Sequence, residues 1–503
     1  MRRWFGLMLI AMVACASPKP LFESEQSAAP ADPEVKASEP GASGTKRVVR
    51  IYHTSDEHGW LDGRFSRSKQ TRYGGTELLS RFLKSQGFDA RRDLLVSGGD
   101  MWTGPAISTL LEGRPMVEVF NHLGYVATAV GNHEFDFGLD VLHRNMAASK
   151  FSYLAGNVSS VTGERPFEAM KIVERSGLKV AIIGLAYEAT PKVTRPDAVA
   201  GMNFEDPTAV AVDLAIEARD TRGADFSVIV IHDNVKIFEP HLKALHAAGV
   251  RALLGGHVHT PYHETNGSLA LCVPKDKLKE LCEVEIDLAE DRVRVDRIKI
   301  TSKDKEIKDP ALKAILDQAK VDSDDRGKEV LGQLTGPLPN EGELADHGLG
   351  QLVGQAWVAA DEKAAVAITN RGGLRMSLPA GPVTVSDIIG VMPFTNSIVR
   401  VHLTGPELTE VLKHPQSLAT GASLDADGKA QVGGRAIPAG RRVPVLINDF
   451  MLFGGDGYRF RKYDAAPVML DIPWRRPVYA YLRQVGETGP EQLKRAWLKS
   501  LKP

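Results

Sequence analysis

A two-part α/β fold is predicted by three features of this chain. From Arg47 to about Lys299, short β-branched and apolar runs alternate with segments of helical spacing, the pattern of an α/β sandwich. From about Thr335 onward, helix-like runs enclose strands punctuated by Gly and Pro, which reads as a second, α+β domain. The length of 503 residues exceeds what one core usually organises and agrees with two domains.

The elements follow in chain order. Arg2 and Arg3 precede an apolar run from Trp4 to Val13, too short to span a membrane, so residues 1–15 are expected to form a signal segment. Met12-Val13-Ala14-Cys15 resembles a bacterial lipobox, although Met12 stands where Leu is usual. That reading makes Cys15 a lipidation site on a periplasmic or outer-membrane-anchored lipoprotein; cleavage after Ala14-Cys15-Ala16, giving a secreted soluble protein, is the alternative. Residues 16–46, rich in Ala, Pro, Ser and Glu with no sustained apolar period, read as a disordered tether.

The first domain is expected over residues 47–305. Buried strands are predicted at Val48–His53, Leu94–Ser97, Val126–Val130, Val180–Gly184, Val228–Ile231 and Ala252–Gly255, and helices at Thr76–Ser85, Pro115–Leu123 and Pro207–Arg219. Pro115 near the start and Gly124 just past the end of the second helix follow the usual asymmetry of helix termini. Cys272 and Cys282 fall in neighbouring apolar strands, where a disulfide and two free half-buried thiols are both open readings. Residues 306–334 are expected to form a connecting helix and linker. Asp309 caps that helix, Pro310 fits its first turn, and Leu312, Ile315, Leu316 and Ala319 make its apolar stripe. The second domain, residues 335–503, opens with a helical run from Leu349 to Asp361 and closes with another near Glu491–Leu501.

Five motifs in the first 260 residues place metal-type ligands just after an apolar strand: Asp56-Glu57-His58, Gly98-Gly99-Asp100, Gly131-Asn132-His133-Glu134, His232, and Gly256-His257-Val258-His259. Carboxylate, amide and imidazole donors suit Mn, Zn, Mg, Fe or Co. Hydrolysis of a phosphate ester is served by two divalent cations about 3.5–4 Å apart, which activate water and neutralise phosphoryl oxygens. Such a pair needs one bridging carboxylate and about three further ligands per cation. Asp56, His58, Asp100, Asn132, His232, His257 and His259 meet that inventory. His133 has Asp136 three residues on, and a His held by a carboxylate suits proton transfer. Each motif alone has an ordinary reading as a turn or a core histidine; the ordered set does not.

Later in the chain, Asn370-Arg371-Gly372-Gly373-Leu374-Arg375 carries two guanidinium groups on a glycine-softened loop, suited to phosphate or carboxylate. Phe394 and Phe450 offer rings on which a nucleobase can stack.

The series HTSDEHG, SGGDMWTG, GNHEFDFG, IVIH and GGHVHT resembles the calcineurin-type metallophosphoesterases, and within them the 5′-nucleotidases and UDP-sugar hydrolases. The resemblance runs from about Arg47 to Gln484. It implies a four-layer α/β/β/α sandwich followed by a nucleotidase C-terminal domain. It implies that Asp56, His58, Asp100 and His259 hold one metal and that Asp100, Asn132, His232 and His257 hold the other. His133 and Asp136 match the family's catalytic pair. NRGGLR, MPFTN and NDFMLFGGDGY resemble the C-terminal domain, so Asn370, Arg375, Phe394, Phe450 and Asp456 are implied to bind the nucleoside part or its surroundings. Arg371 stands where a small residue is typical and can alter that pocket. Ser55 stands where Asn is common, and Asn234, preceded by Asp233, stands where Gly is usual.

The implied activity is hydrolysis of nucleotide phosphate esters on the extracytoplasmic side, with two divalent cations as cofactors. UDP-sugars, 2′,3′-cyclic nucleotides and a thiosulfate-type sulfur ester remain alternative substrates. A non-catalytic nucleotide-binding surface lipoprotein is the alternative of another class. The net charge of −1 gives no basic stripe for a nucleic-acid polymer, and no protein partner is implied.

Overall fold

The computed structural model describes residues 47–66, 70–302, 308–340 and 348–501. The expected signal segment, Cys15 and the tether to residue 46 lie outside the described residues. No described helix is long and apolar enough to cross a membrane.

Two six-stranded sheets stack face to face. The first has the order Arg292–Lys299, Glu280–Asp287, Val48–Thr54, Leu94–Ser97, Ala127–Ala129, Ser152–Leu154; the last four run parallel. The second has the order Tyr262–Asn266, Leu269–Val273, Val250–Leu254, Phe226–Ile231, Leu178–Leu185, Met170–Arg175, and its four central strands are parallel. The strands are apolar on both faces, and alternation along them sorts the side chains into layers. Ile51, Leu94, Val96, Val228, Val230 and Leu254 meet between the sheets. Tyr52 and Leu95 face outward, under helices Thr76–Ser85 and Arg114–Leu123. Ile183, Ile229 and Leu253 face the other way, under Pro207–Ile216 and Leu242–Ala247. Helix, sheet, sheet, helix is the expected four-layer arrangement.

Boundaries differ from expectation by small amounts with local causes. The second helix starts one residue earlier, at Arg114, behind a left-handed Gly113, and stops at left-handed Gly124. The helix expected to reach Arg219 is α-helical to Ile216 and then widens into a π turn, Glu217–Thr221. Cys272 and Cys282 form a disulfide. They belong to different sheets, so the bond staples the two layers where their strands approach.

The connecting helix is Pro310–Gly327, and Asp309 accepts from the Leu312 N–H as its cap. It lies along the sandwich. Leu312, Leu316 and Ala319 are buried, and the Asp309 carboxylate also receives Lys84, Ser80 and His122. Next, strand Val330–Leu334 pairs with Gly381–Thr384 and with Glu487–Thr488. The main C-terminal sheet has the order Ser417–Thr420, Val366–Asn370, Arg442–Asn448, Ser397–Thr404, Val468–Pro473. Helices Gly348–Ala360 and Arg476–Val485 pack on one face around Trp357 and Trp474, and Gly405–Lys413 packs on the other.

Candidate metal centre and adjoining cavity

All seven expected ligands follow the carboxyl ends of parallel strands, the edge at which open α/β sheets collect ligands. Asp56 and His58 follow Val48–Thr54, Asp100 follows Leu94–Ser97, and Asn132 follows Ala127–Ala129. His232 follows Phe226–Ile231, and His257 and His259 follow Val250–Leu254. Backbone bonds lock neighbouring loops together: Asp56 N–H donates to Gly99 O and His58 N–H to Asp100 O, each at 2.9 Å. Gly99 sits at φ 94°, and a Cβ there would come 2.8 Å from the Gly131 nitrogen. Only glycine lets these two strand ends approach so closely.

The side chains converge in three overlapping groups whose ligand atoms lie within 4.8 Å of one another: Asp56, His58 and His259; His58, Asp100 and His133; Asp100, His232 and His257. Asp100 is shared by the last two. Asn132 joins the third, its Oδ1 standing 3.2 Å from His232 Nε2. His232, despite its unusual followers Asp233 and Asn234, is fully buried within this group.

Tautomers test whether cations fit here. His232 Nδ1 lies 2.7 Å from Gly98 O, which can only accept, so that nitrogen carries a proton. Nε2 then faces Asp100 Oδ2 at 3.1 Å and Asn132 Oδ1 at 3.2 Å, both acceptors. A positive charge has to sit at this point. Burial opposes charge on His232, but Asp100, Asp56 and Glu134 outweigh it and draw the imidazole up to about 10. A divalent cation in the gap supplies the same charge and leaves the imidazole neutral. His58 gives the second instance. Its Nδ1 is 3.2 Å from Thr103 O and its Nε2 is 3.1 Å from His259 Nε2, while burial, with Arg375 adding to it, holds His58 well below the ordinary range. A neutral His58 thus aims a lone pair at the His259 nitrogen, beside Asp56 Oδ1, which is 3.2 Å from His259 Nε2. Two imidazole nitrogens and a carboxylate oxygen gathered this closely make a donor set that fits a divalent cation.

His133 stands at the rim. Its Nδ1 donates to Asp136 Oδ2 at 2.8 Å, its backbone N–H to Asp100 Oδ1 at 2.8 Å, and its Nε2 lies 3.9 Å from Asp100 Oδ2. Burial pulls its pKa down, but Asp136 and Asp100 more than reverse that and raise it. Burial also lowers His257 to about 4, with the neighbouring His232 adding to the effect.

The centre opens into a cavity of about 290 Å³, lined by Asn132, His133, Asp136 and His257 on one side and by Asn370, Arg375, Phe394, Phe450 and Asp456 on the other. Phe394 lies parallel to His133 with ring centres 5.5 Å apart, and the Arg375 guanidinium is 5.9 Å from the Phe394 ring. Arg375 Nη2 reaches within 3.4 Å of His58 Nε2. Asn370 is fixed by two side chains: its Nδ2 donates to Asp456 Oδ2 at 2.7 Å and its Oδ1 accepts from Asn448 at 2.9 Å. Arg371, half-buried at the start of the Arg371–Gly373 turn, is not among the lining residues; Arg375 is the arginine of that loop that faces the cavity.

Several residues of the site had not been singled out. Arg195, Thr395 and Asn396 line the cavity. Asn448 holds Asn370. Glu134, fully buried, accepts the backbone N–H groups of Asp100, Met101 and Gly131. Glu134 ends the quoted motif Gly131-Asn132-His133-Glu134, and Thr395, Asn396 and Asn448 lie in MPFTN and NDFMLFGGDGY, so membership of those motifs was their signal; Arg195 had none.

The chain is similar to known proteins over both of its halves. Residues 49–261 match the calcineurin-like phosphoesterase model and residues 330–462 the model of the 5′-nucleotidase C-terminal domain. The chain is 28% identical over 488 residues to a 5′-nucleotidase of Vibrio vulnificus, covering 83% of this chain and 87% of that one. It is 25% identical over 489 residues to Protein UshA of Escherichia coli, covering 82% and 86%. Among solved structures, a 5′-nucleotidase precursor from Thermus thermophilus shares the fold with a TM-score of 0.74 at 22% identity, covering 88% of this chain and 97% of that one. The sulfate thiohydrolase SoxB of the same organism shares it with a TM-score of 0.71 at 17% identity, covering 90% and 96%. The chain belongs to the calcineurin-like phosphoesterases that carry a 5′-nucleotidase C-terminal domain.

Proposed function

We propose that this protein is a two-cation hydrolase of nucleotide phosphate esters, of the 5′-nucleotidase type. The observation that carries the reading is that one cavity is lined both by members of the ligand cluster and by the arginine, amide and aromatic side chains of the C-terminal half. Asp56, His58, Asp100 and His259 would hold one cation and Asp100, Asn132, His232 and His257 the other. Divalent cations held there supply an activated water and neutralise phosphoryl oxygens; the donor set accepts Mn, Zn, Mg, Fe or Co.

The chain's own groups do the rest. Asp136 orients His133 through Nδ1, leaving Nε2 to hydrogen-bond a phosphoryl oxygen and to pass a proton to the departing ribose oxygen. Arg375 presents its planar fork to phosphoryl or ribose oxygens. Phe394 and Phe450 offer stacking faces to the base, and Asn370, held by Asp456 and Asn448, offers a fixed polar edge. Arg371 tunes the loop on which Arg375 sits. The domain division at 47–305, 306–334 and 335–503 belongs to the same reading. So does export through the signal segment, with Cys15 as the lipid-bearing residue of an extracytoplasmic lipoprotein.

The test is hydrolysis by the metal-reconstituted chain of AMP, read as phosphate, of UDP-glucose, read as UMP and glucose 1-phosphate, and of a 2′,3′-cyclic nucleotide, read as the nucleoside monophosphate. Hydrolysis of AMP is expected. A fully loaded protein that hydrolyses none of them refutes the proposal. Anchoring is tested separately: Cys15→Ala should move the protein from the membrane fraction to the soluble one.

A further inference from the structure

Arg375 has a second side. Beyond it lies a separate crevice of about 220 Å³, walled by Arg64, Lys277 and Lys279 of the sandwich and by Arg375, Asn340 and Ser377 of the C-terminal half. The crevice is mostly polar and strongly cationic. The Arg64 guanidinium lies 3.9 Å above the Trp60 ring, and Lys277 Nζ lies 5.6 Å from the same ring. Both cations are thereby held in place by an aromatic face that carries no charge.

The carboxylates nearby do not balance these charges. Asp62 lines the crevice but pairs with Lys320 at 3.1 Å. Asp276 is buried and serves three lysines at once: Lys279 at 3.2 Å, and Lys275 and Lys277 at 3.5 Å each. If these lysines were present only to neutralise Asp276, one would suffice. That reading also leaves Arg64 and Arg375 over: Arg64 bonds Tyr73 and feels Asp276 only at longer range, and Arg375 contacts Gly372 O, His58 and the Phe394 ring.

The arrangement is also rigid. Residues 274–279 form a loop between strands Leu269–Val273 and Glu280–Asp287, and the Cys272–Cys282 disulfide joins those strands beside it. The Lys277 N–H donates to Asp56 O at 2.8 Å, and Lys275 Nζ to His259 O at 2.9 Å. Lys277 and Leu278 sit at φ 60° and 54°, left-handed values that ordinary side chains adopt only under constraint. Cations held close together on a strained, stapled loop, outnumbering the one buried carboxylate, Asp276, that they share, form a preorganised oxyanion site.

We propose that this crevice is a second oxyanion subsite that takes a tetrahedral phosphate group. The group is either a further phosphoryl unit of the ligand whose first phosphate lies at the metal centre, or free inorganic phosphate. Arg375 lines both spaces and is the link between them. Binding itself does not depend on the hydrolase reading; only the choice between the two sources does.

The test uses the metal-loaded full chain and its Lys277→Gln/Lys279→Gln variant, with inorganic phosphate and pyrophosphate as calorimetric probes. Removing two charged donors should weaken at least one probe by about tenfold or more. If the group belongs to the ligand, pyrophosphate alone weakens, and KM rises for ADP with KM for AMP unchanged. If the source is free phosphate, phosphate itself weakens, and its inhibition of AMP turnover falls by a similar factor. Lys277→Arg should bind as the parent does, and an unchanged thermal midpoint in the double variant excludes misfolding as the cause. Binding of both probes within about twofold of the parent overturns the proposal. The calorimetric result stands even if no nucleotide is turned over, so failure here is distinguishable from failure of the hydrolase reading.

Discussion

Replacing Glu134 with Gln separates two descriptions of one buried carboxyl. Oε2 accepts from the N–H groups of Asp100 at 2.9 Å and Gly131 at 2.7 Å, and Oε1 accepts from Met101 at 2.8 Å. Burial and the nearby Asp100 push this acid up to about 7, which would leave it partly protonated at neutral pH. A protonated carboxyl must itself donate, yet all three partners are donors. Three N–H groups aimed at two oxygens therefore favour the carboxylate. Gln keeps the shape but turns one oxygen into an NH2 group. With that group at the Met101 side, one bond is lost and two donors face each other; the opposite orientation loses two bonds. A charge-assisted bond is worth about 1.5–3 kcal/mol and an orphaned buried N–H costs about 1–3 kcal/mol, so a loss on the order of 3 kcal/mol is expected. The pinned amides belong to Asp100 and to the residue before Asn132, so metal affinity should fall by about 10–100-fold. Urea unfolding measures the first effect and competition with a chelating dye the second. A Gln variant with parental stability and parental metal affinity would show that Glu134 is a neutral acid in the folded protein, and the argument from the three donors would fail.

Other consequences are equally direct. His133→Ala should lower turnover by about 10²–10⁴-fold with metal content unchanged, the usual worth of a positioned proton donor; parental turnover in the loaded variant removes His133 from the reaction. Phe450→Ala should raise KM for AMP by about tenfold with a smaller effect on kcat, because base stacking is worth roughly 1–3 kcal/mol. For acid stability, Asp309 is the informative group. Desolvation favours its neutral form, but Lys84, Ser80 and His122 overcome that and hold the acid below the ordinary carboxylate range. A depressed folded-state pKa means that its contribution is present above the unfolded value of about 3.9 and is lost as pH falls below it. Asp309→Asn should therefore destabilise near neutral pH and flatten the fall in urea midpoint below about pH 4; parallel acid limbs in parent and variant would contradict this.

The candidate metal centre was legible because its expected ligands are tied to a periodic signal. Each follows a β-rich run, and parallel strands deliver their carboxyl ends to one edge whatever the loop lengths between them. The Cys272–Cys282 disulfide was legible only as one of two open readings. Cys272 lies in the second sheet and Cys282 in the first, so their pairing depends on how the layers stack, which no local pattern encodes. Glu134 shows the same limit at the site. Two of its three partners are backbone N–H groups brought in from the loop after Leu94–Ser97, and backbone groups leave no trace in a sequence. Asn448 and Asn396 look like ordinary polar residues at the ends of elements until tertiary contact places them on Asn370 and Asp449. The π turn at Glu217–Thr221 departs from the expected α-helix through Arg219, whose Nη1 donates to Ala247 O across the helix pair.

The ligand loops also explain why ligands two residues apart can serve one centre. In an extended strand, residues i and i+2 share a face, but their side chains stand parallel and do not converge. Asp56, His58, Asp100, His257 and His259 instead all have positive φ, between 48° and 65°. The left-handed turn curls the backbone so that Asp56 and His58 point to the same spot, while Glu57 between them turns inward onto Thr54 and Ser97. Val258, between His257 and His259, likewise packs against the outer core of the second sheet. Each non-glycine residue in this region costs about 1–3 kcal/mol, so the set approaches the whole net stability of an ordinary domain. Strain of that size persists only where the surroundings fix it. Here the N–H bonds of Asp56 and His58 to the neighbouring loop, and of His257 to the Asp56 carboxylate, hold the curl. The turn that aims these side chains at one point is thus fixed by bonds of the protein to itself.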